Sequence, residues 1–212
     1  MSLAPARLTR YVLAAAAALT MMVPTVASAS PLVSFDNLTG QTLGNPPFTL
    51  GWEFSVGGQN MLATEIGFFD SSQNGLIDSH DMGIFASDGT LLRSGTFAAG
   101  TAASLVNQFR YIGIAPLLLS AGQTYRVGAV FTTGNDAVLF PGFVTGFSTD
   151  PGITFNGSRF AFGATLADPT LSFGGDPAYF GVNINATAVP EPTTLLLLGS
   201  GVVALIRRRA VK

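Results

Sequence analysis

Trp52-Glu53-Phe54-Ser55-Val56 carries a large apolar side chain at every second position. Successive residues of a strand face opposite sides, so this segment reads as a half-buried strand with Trp52, Phe54 and Val56 inward. The same reading extends along the chain. Runs at 32–35, 62–69, 82–86, 91–97, 109–119, 125–131, 143–147, 160–166 and 179–188 are short and rich in aromatic or β-branched residues, and Gly, Pro, Asn, Asp or Ser bounds each. Asp88-Gly89 between two such runs is a hairpin signal, because both residues tolerate positive φ. Ala121-Gly122-Gln123 separates two more runs in the same way. No stretch between residues 30 and 189 sustains a 3.6-residue period. The expected fold is all-β: a single antiparallel β-sandwich, jelly-roll-like, flanked by an N-terminal signal helix and a short C-terminal transmembrane helix.

Composition agrees with that expectation. Apolar residues make up 48% of the chain and charged residues 10%, too apolar for disorder, while 25 glycines and 12 prolines are too many for a helical bundle. The chain has no cysteine, which excludes disulfides, zinc–thiolate sites, iron–sulfur clusters, a cysteine nucleophile and a lipoprotein anchor. The overall charge of −2 hides an asymmetry: the basic residues gather at the two ends. Residues 30–189 keep four arginines (Arg93, Arg110, Arg126, Arg159) against eleven carboxylates, a body charge of −7. Such a body repels nucleic acid and anionic lipid.

The two ends read as addresses. Arg7 and Arg10 precede an apolar run at 11–23, Pro24 breaks it, and Ala27-Ser28-Ala29 supplies a small-x-small cleavage site. Residues 1–29 are therefore expected to be a signal peptide, with signal peptidase leaving Ser30 as the new N-terminus after general secretion. At the other end Pro190-Glu191-Pro192 precedes an apolar stretch at 195–206 and then Arg207-Arg208-Arg209. Twelve helical residues span about 18 Å, against a hydrocarbon core of about 30 Å. The arginines can snorkel to the cytoplasmic headgroups, so the segment suits a temporary hold on the membrane.

The order of these C-terminal elements resembles the PEP-CTERM sorting signal of Gram-negative bacteria, over residues 190–212. The resemblance implies recognition by a membrane-embedded exosortase that removes the tail near the motif, in hosts that typically make an exopolysaccharide matrix. The prolines would keep the motif extended for an active-site groove. Glu191 would stay in the aqueous interface, and the arginines would fix orientation. Between residues 62 and 133, Glu65-Ile66-Gly67-Phe68-Phe69-Asp70, Ser79-His80-Asp81-Met82-Gly83-Ile84-Phe85, Asp88-Gly89-Thr90-Leu91-Leu92 and Ala121-Gly122-Gln123-Thr124-Tyr125 resemble a β-sandwich domain of unknown function common in exported bacterial proteins. That family has no established catalytic residues, so the resemblance implies none here.

Candidate sites are few. His80, the one histidine, sits between Asp78 and Asp81; it is either a metal ligand or general base, or a loop tether at the entrance to a strand. Asp70, Asn74, Asp78 and Asp81 are oxygen ligands that calcium could use, although their spacing is not that of an EF-hand and Asx-turns explain the same residues. Trp52, Tyr111, Tyr125 and Tyr179 could stack on sugar rings if exposed, whereas phenylalanine in this pattern reads as core. Glu53 and Glu65 are the body's two glutamates, with no visible pairing for a glycan hydrolase. The sequence thus leads to an exported non-enzymatic surface or matrix protein without cofactor, sorted by an exosortase and associated with exopolysaccharide or a biofilm. The alternative is a secreted glycan-active hydrolase or carbohydrate-binding module. The expected domains are 1–29, 30–189 and 190–212.

Overall fold

The computed structural model describes residues 28–44, 46–140, 142–172 and 180–190. Among them every regular element is a β-strand, and every ladder is antiparallel. A six-stranded sheet runs in the order β14 (Leu171–Ser172), β13 (Ile153–Phe162), β4 (Phe48–Val56), β10 (Thr124–Phe131), β6 (His80–Ala86) and β7 (Leu91–Phe97). A five-stranded sheet runs β1 (Ser30–Pro31), β15 (Val182–Ala188), β5 (Met61–Phe69), β9 (Phe109–Leu119) and β8 (Ser104–Val106). Two short pairs accompany them: β2 (Val33–Ser34) with β12 (Ser148–Thr149), and β3 (Asn37–Leu38) with β11 (Val144–Thr145).

The alternation in β4 is realised as read. Trp52, Phe54 and Val56 are buried, and they share one core with Val127 and Phe131 of β10, Ile66 and Phe68 of β5, and Val182 and Ile184 of β15. That core belongs to both sheets, which gives a sandwich-like arrangement within the compact unit Ala29–Val189. Trp52 Nε1 donates to the Val182 carbonyl at 2.9 Å, a polar tie from one sheet to the other through the core. A Trp52→Phe substitution should cost about 1–2 kcal/mol, since it removes that bond and leaves the carbonyl without its donor. Urea denaturation measures this, and an unchanged midpoint would contradict the tie.

The turns divide into two kinds. Asp88-Gly89 forms the expected β6–β7 hairpin: Gly89 has φ of 90°, and Ala86 N–H donates to the Thr90 carbonyl at 2.9 Å. Ala121-Gly122-Gln123 is a correction. Gly122 does adopt positive φ (73°), but β9 pairs with β5 and β10 with β4, so the turn carries the chain from one sheet to the other. Local residue types specify the reversal; the long ladders decide which sheet each strand joins. Here Gly122 N–H donates to the Val56 carbonyl, and Val56 N–H to the Gln123 carbonyl, both at 2.9 Å.

Other boundaries shift for identifiable reasons. The run expected at 160–166 is β13, which begins at Ile153 because a bulge between Phe155 and Gly157 lets the strand continue through Asn156-Gly157. It stops at Phe162, and the chain then crosses the outer face of the six-stranded sheet. There Ala167 N–H donates to Thr49 Oγ1, and Asp168 takes two hydrogen bonds from Arg126 at 2.7 Å. The runs at 32–35 and 143–147 shorten to two-residue pairings. Among the described residues no helix is long and apolar enough to cross a membrane. The signal helix expected before Ser30 and the transmembrane helix expected over 195–206 lie outside the described residues.

Candidate functional site

The acidic loop 70–81 is held mainly by hydrogen bonds to groups outside it, above all Asp136 and Arg110. His80 opens β6 and is 2% exposed. Its Nδ1 lies 2.7 Å from the Val130 carbonyl, and its Nε2 lies 2.9 Å from Asp136 Oδ2. Both ring nitrogens thus face oxygens that only accept, and neither is free to bind a metal. Phe68 stacks on the ring with centroids 4.1 Å apart. The carboxylate partner is Asp136 and not the flanking Asp78 or Asp81. Asp136 also accepts the Ile77 and Asp78 amides. Burial pushes its carboxyl up, but the hydrogen bonds from His80 and those amides outweigh burial and hold it below the usual carboxylate range.

The four calcium candidates are dispersed. Asp70 is buried against Arg110 Nε at 2.7 Å and accepts the Gly75 amide. Asp78 accepts from Thr133 Oγ1 and Asn135 Nδ2, Asp81 accepts from Thr96 Oγ1, and Asn74 is exposed. Among the described residues no group of three or more His, Cys, Asp or Glu could hold a metal ion. Arg110, which the sequence reading left without a role, staples two loops. It donates to the Thr101 and Ala103 carbonyls besides Asp70. A lone arginine in an otherwise apolar run was the available signal, since a buried guanidinium needs partners.

The two glutamates do not meet. Glu53 points outward from the six-stranded sheet and accepts from Arg159 at 2.8 Å and Arg126 at 3.2 Å. Glu65 points outward from the five-stranded sheet, where Asn185 Nδ2 donates to it at 2.8 Å. Packed sheets lie about 10 Å apart and these side chains diverge from each other, whereas paired glycosidase carboxylates stand roughly 5–9.5 Å apart.

The aromatic candidates are also redistributed. Trp52 and Tyr125 are core residues, and Tyr179 lies outside the described residues. Tyr111 is on the outer face of the five-stranded sheet. There β2, β3, β11 and β12 and their connections bring Phe35, Leu38, Val144 and Phe147 against a second cluster of Phe69, Phe109, Tyr111 and Leu139. The Tyr111 ring lies across Gly67, its directly opposed partner on β5; a Cβ at Gly67 would come within 2.5 Å of it. Burial and then the charge of Glu65 push the Tyr111 hydroxyl above its usual pKa. Beside it is a cleft of about 60 Å³ lined by Pro31, Val33, Ser34, Val106, Asn107 and Tyr111, among others.

The ends of the body lie together. Ser30 pairs with Ala186 and Pro31 with Asn185, so the first and last strands are neighbours in one sheet. The β15–β5 ladder ends with Ala188 opposite Met61, and Val189 N–H donates to the Asn60 carbonyl at 2.8 Å. Pro190 has no N–H with which to continue. Glu191, Pro192 and Arg207–Arg209 lie outside the described residues.

Residues 188–210 match the PEP-CTERM protein-sorting motif, which marks an exported protein processed at the membrane by an exosortase. No curated protein matches the chain. Among solved structures it aligns with a family 35 carbohydrate binding module from an environmental isolate, at 16% identity and a TM-score of 0.28, over 62% of this chain and 93% of that one; no ligand is carried over from that likeness. Residues 39–180, two-thirds of the sequence and eleven of the fifteen described strands, match the model of the domain of unknown function DUF4082, and the chain belongs to that family.

Proposed function

We propose that the body is a non-enzymatic surface or extracellular-matrix component, cut from its tail near Pro190-Glu191-Pro192 and deposited among exopolysaccharide. One observation carries the reading: the sorting motif begins where the last strand gives up its final main-chain hydrogen bond. An enzyme that needs an extended substrate would find the chain already outside the sheet at Pro190. The adjacency of β1 and β15 supports the same order of events. A leader ahead of Ser30 and a tail beyond Val189 leave from neighbouring strands, roughly 5 Å apart, so both can hold the same end of the body at the inner membrane until each is removed. Glu53, clamped by two arginines, and the separated Glu65 support a binding or structural role over hydrolysis.

Mass spectrometry of the protein recovered from the surface of its native host tests the proposal. The expected chain begins at Ser30 and lacks everything beyond the Pro190–Pro192 region. A chain that still ends at Lys212 in surface material would refute the sorting step.

A further inference from the structure

The outer face of the five-stranded sheet holds polar groups that the fold does not use. Tyr111 is 5% exposed, lines the cleft, and its hydroxyl has no hydrogen-bond partner among the described residues. The ring is buried while the hydroxyl keeps contact with solvent, open to a ligand's polar groups. Glu65 stands two residues along β5 from Gly67 on the same face, roughly 7 Å away at strand rise. Its carboxylate is fixed from one side by Asn185 Nδ2. Asn185 Oδ1, in turn, is buried with no partner among the described residues. Opposite Glu65 on β9 is Gly113, and nothing lies within 4 Å of where its Cβ would be. The polar row Asn185–Glu65–Gly113 therefore ends in open space beside the carboxylate.

We propose that the cleft at Tyr111 and the adjoining Glu65–Gly113 row form one binding site for a neutral saccharide. The chemistry selects that class. A pyranose presents C–H faces and hydroxyls in alternation; Val33 and Val106 supply apolar walls, the Tyr111 hydroxyl is a free donor and acceptor, and Glu65 accepts hydroxyl protons. The cleft would take a ring substituent such as a hydroxymethyl or acetamido group. The ring itself would lie over Gly113, where there is room. Anionic sugars are disfavoured by the Glu65 carboxylate and by the acidic body around it. This site deepens the matrix reading above and rests on it for biological context, but it is tested separately.

The test uses the exported protein purified from its host, with glucose, galactose, N-acetylglucosamine, glucuronate and neutral oligosaccharides cut from the host's polysaccharide as probes. Calorimetry and ligand-observed NMR read binding. A neutral sugar is expected to bind and glucuronate is not. Tyr111→Phe removes the hydroxyl and keeps the ring over Gly67, so the melting temperature should hold while affinity falls roughly tenfold, one hydrogen bond's worth. Glu65→Gln should weaken the same ligand. Absence of binding by any neutral probe at millimolar concentration overturns the site, as does binding that both variants leave unchanged. Neither result touches the sorting step, because an uncut tail would show in the mass of the mature chain whether or not sugar binds.

Discussion

Replacing Asp136 with alanine should lower stability by about 3–5 kcal/mol, the usual cost of removing one partner from a buried pair. The carboxylate is 8% exposed and gathers His80 Nε2 and the amides of Ile77 and Asp78. Its loss leaves three donors, His80 Nε2 and the Ile77 and Asp78 amides, without their acceptor. For a body of this size that cost corresponds to a melting temperature lower by roughly 6–20 °C. Asp136→Asn, which keeps the shape and one acceptor oxygen, should lose less. The pH profile gives a second check. The folded Asp136 carboxyl titrates below its unfolded value of about 3.9. Its stabilisation is therefore complete above about pH 4 and is lost as pH falls through the folded value. Wild-type stability should drop in that acid window, and Asp136→Asn should flatten the drop. Equal acid slopes in the two proteins would mean that the pair is not linked to folding.

This pair shows where sequence reading stops. His80 was visible as the one histidine, and a tether at a strand entrance was among its expected roles, yet its partner lies 56 residues away. The carboxylates next to it in sequence turn elsewhere because neighbours along a strand or loop face different directions. Strands such as β4 were legible because alternation is local. The crossing at Ala121-Gly122-Gln123 was not, because sheet membership is set by ladders tens of residues apart in sequence. Tyr111 was named from its residue type alone; its place across Gly67 is a cross-strand pairing that no local window contains. The sorting signal is the opposite case. It is read as a linear order of segments, so no fold is needed to recognise it.

Gly51→Ala should prevent folding, while the same change at Gly113 should leave the protein intact or slightly more stable. Gly51 is in β4, opposite Gly128 of β10. A Cβ there would come 1.8 Å from the Val127 carbonyl oxygen and 2.7 Å from Gly128 Cα, both backbone atoms of β10. A side chain could swing aside, but a neighbouring strand cannot. Relief would mean parting β4 from β10, which carries Trp52 and Phe54 out of the core with it. The expected loss, roughly 4 kcal/mol or more, is a large share of the 5–15 kcal/mol that holds a typical domain. Gly128 also faces Gly83 on β6, so three glycines lie abreast across the sheet. Pro169 and Leu166 of the crossing segment sit over that row, 3.1 Å and 3.0 Å from where Cβ atoms of Gly128 and Gly83 would be. The missing side chains are what let the segment lie down and bring Asp168 to Arg126. Gly113 has no such neighbour, and alanine in a strand is favoured over glycine by about 0.5–1 kcal/mol. Recovery of exported protein and its thermal melt distinguish the two variants. A Gly51→Ala protein that melts with wild type would show that β4 and β10 do not approach this closely.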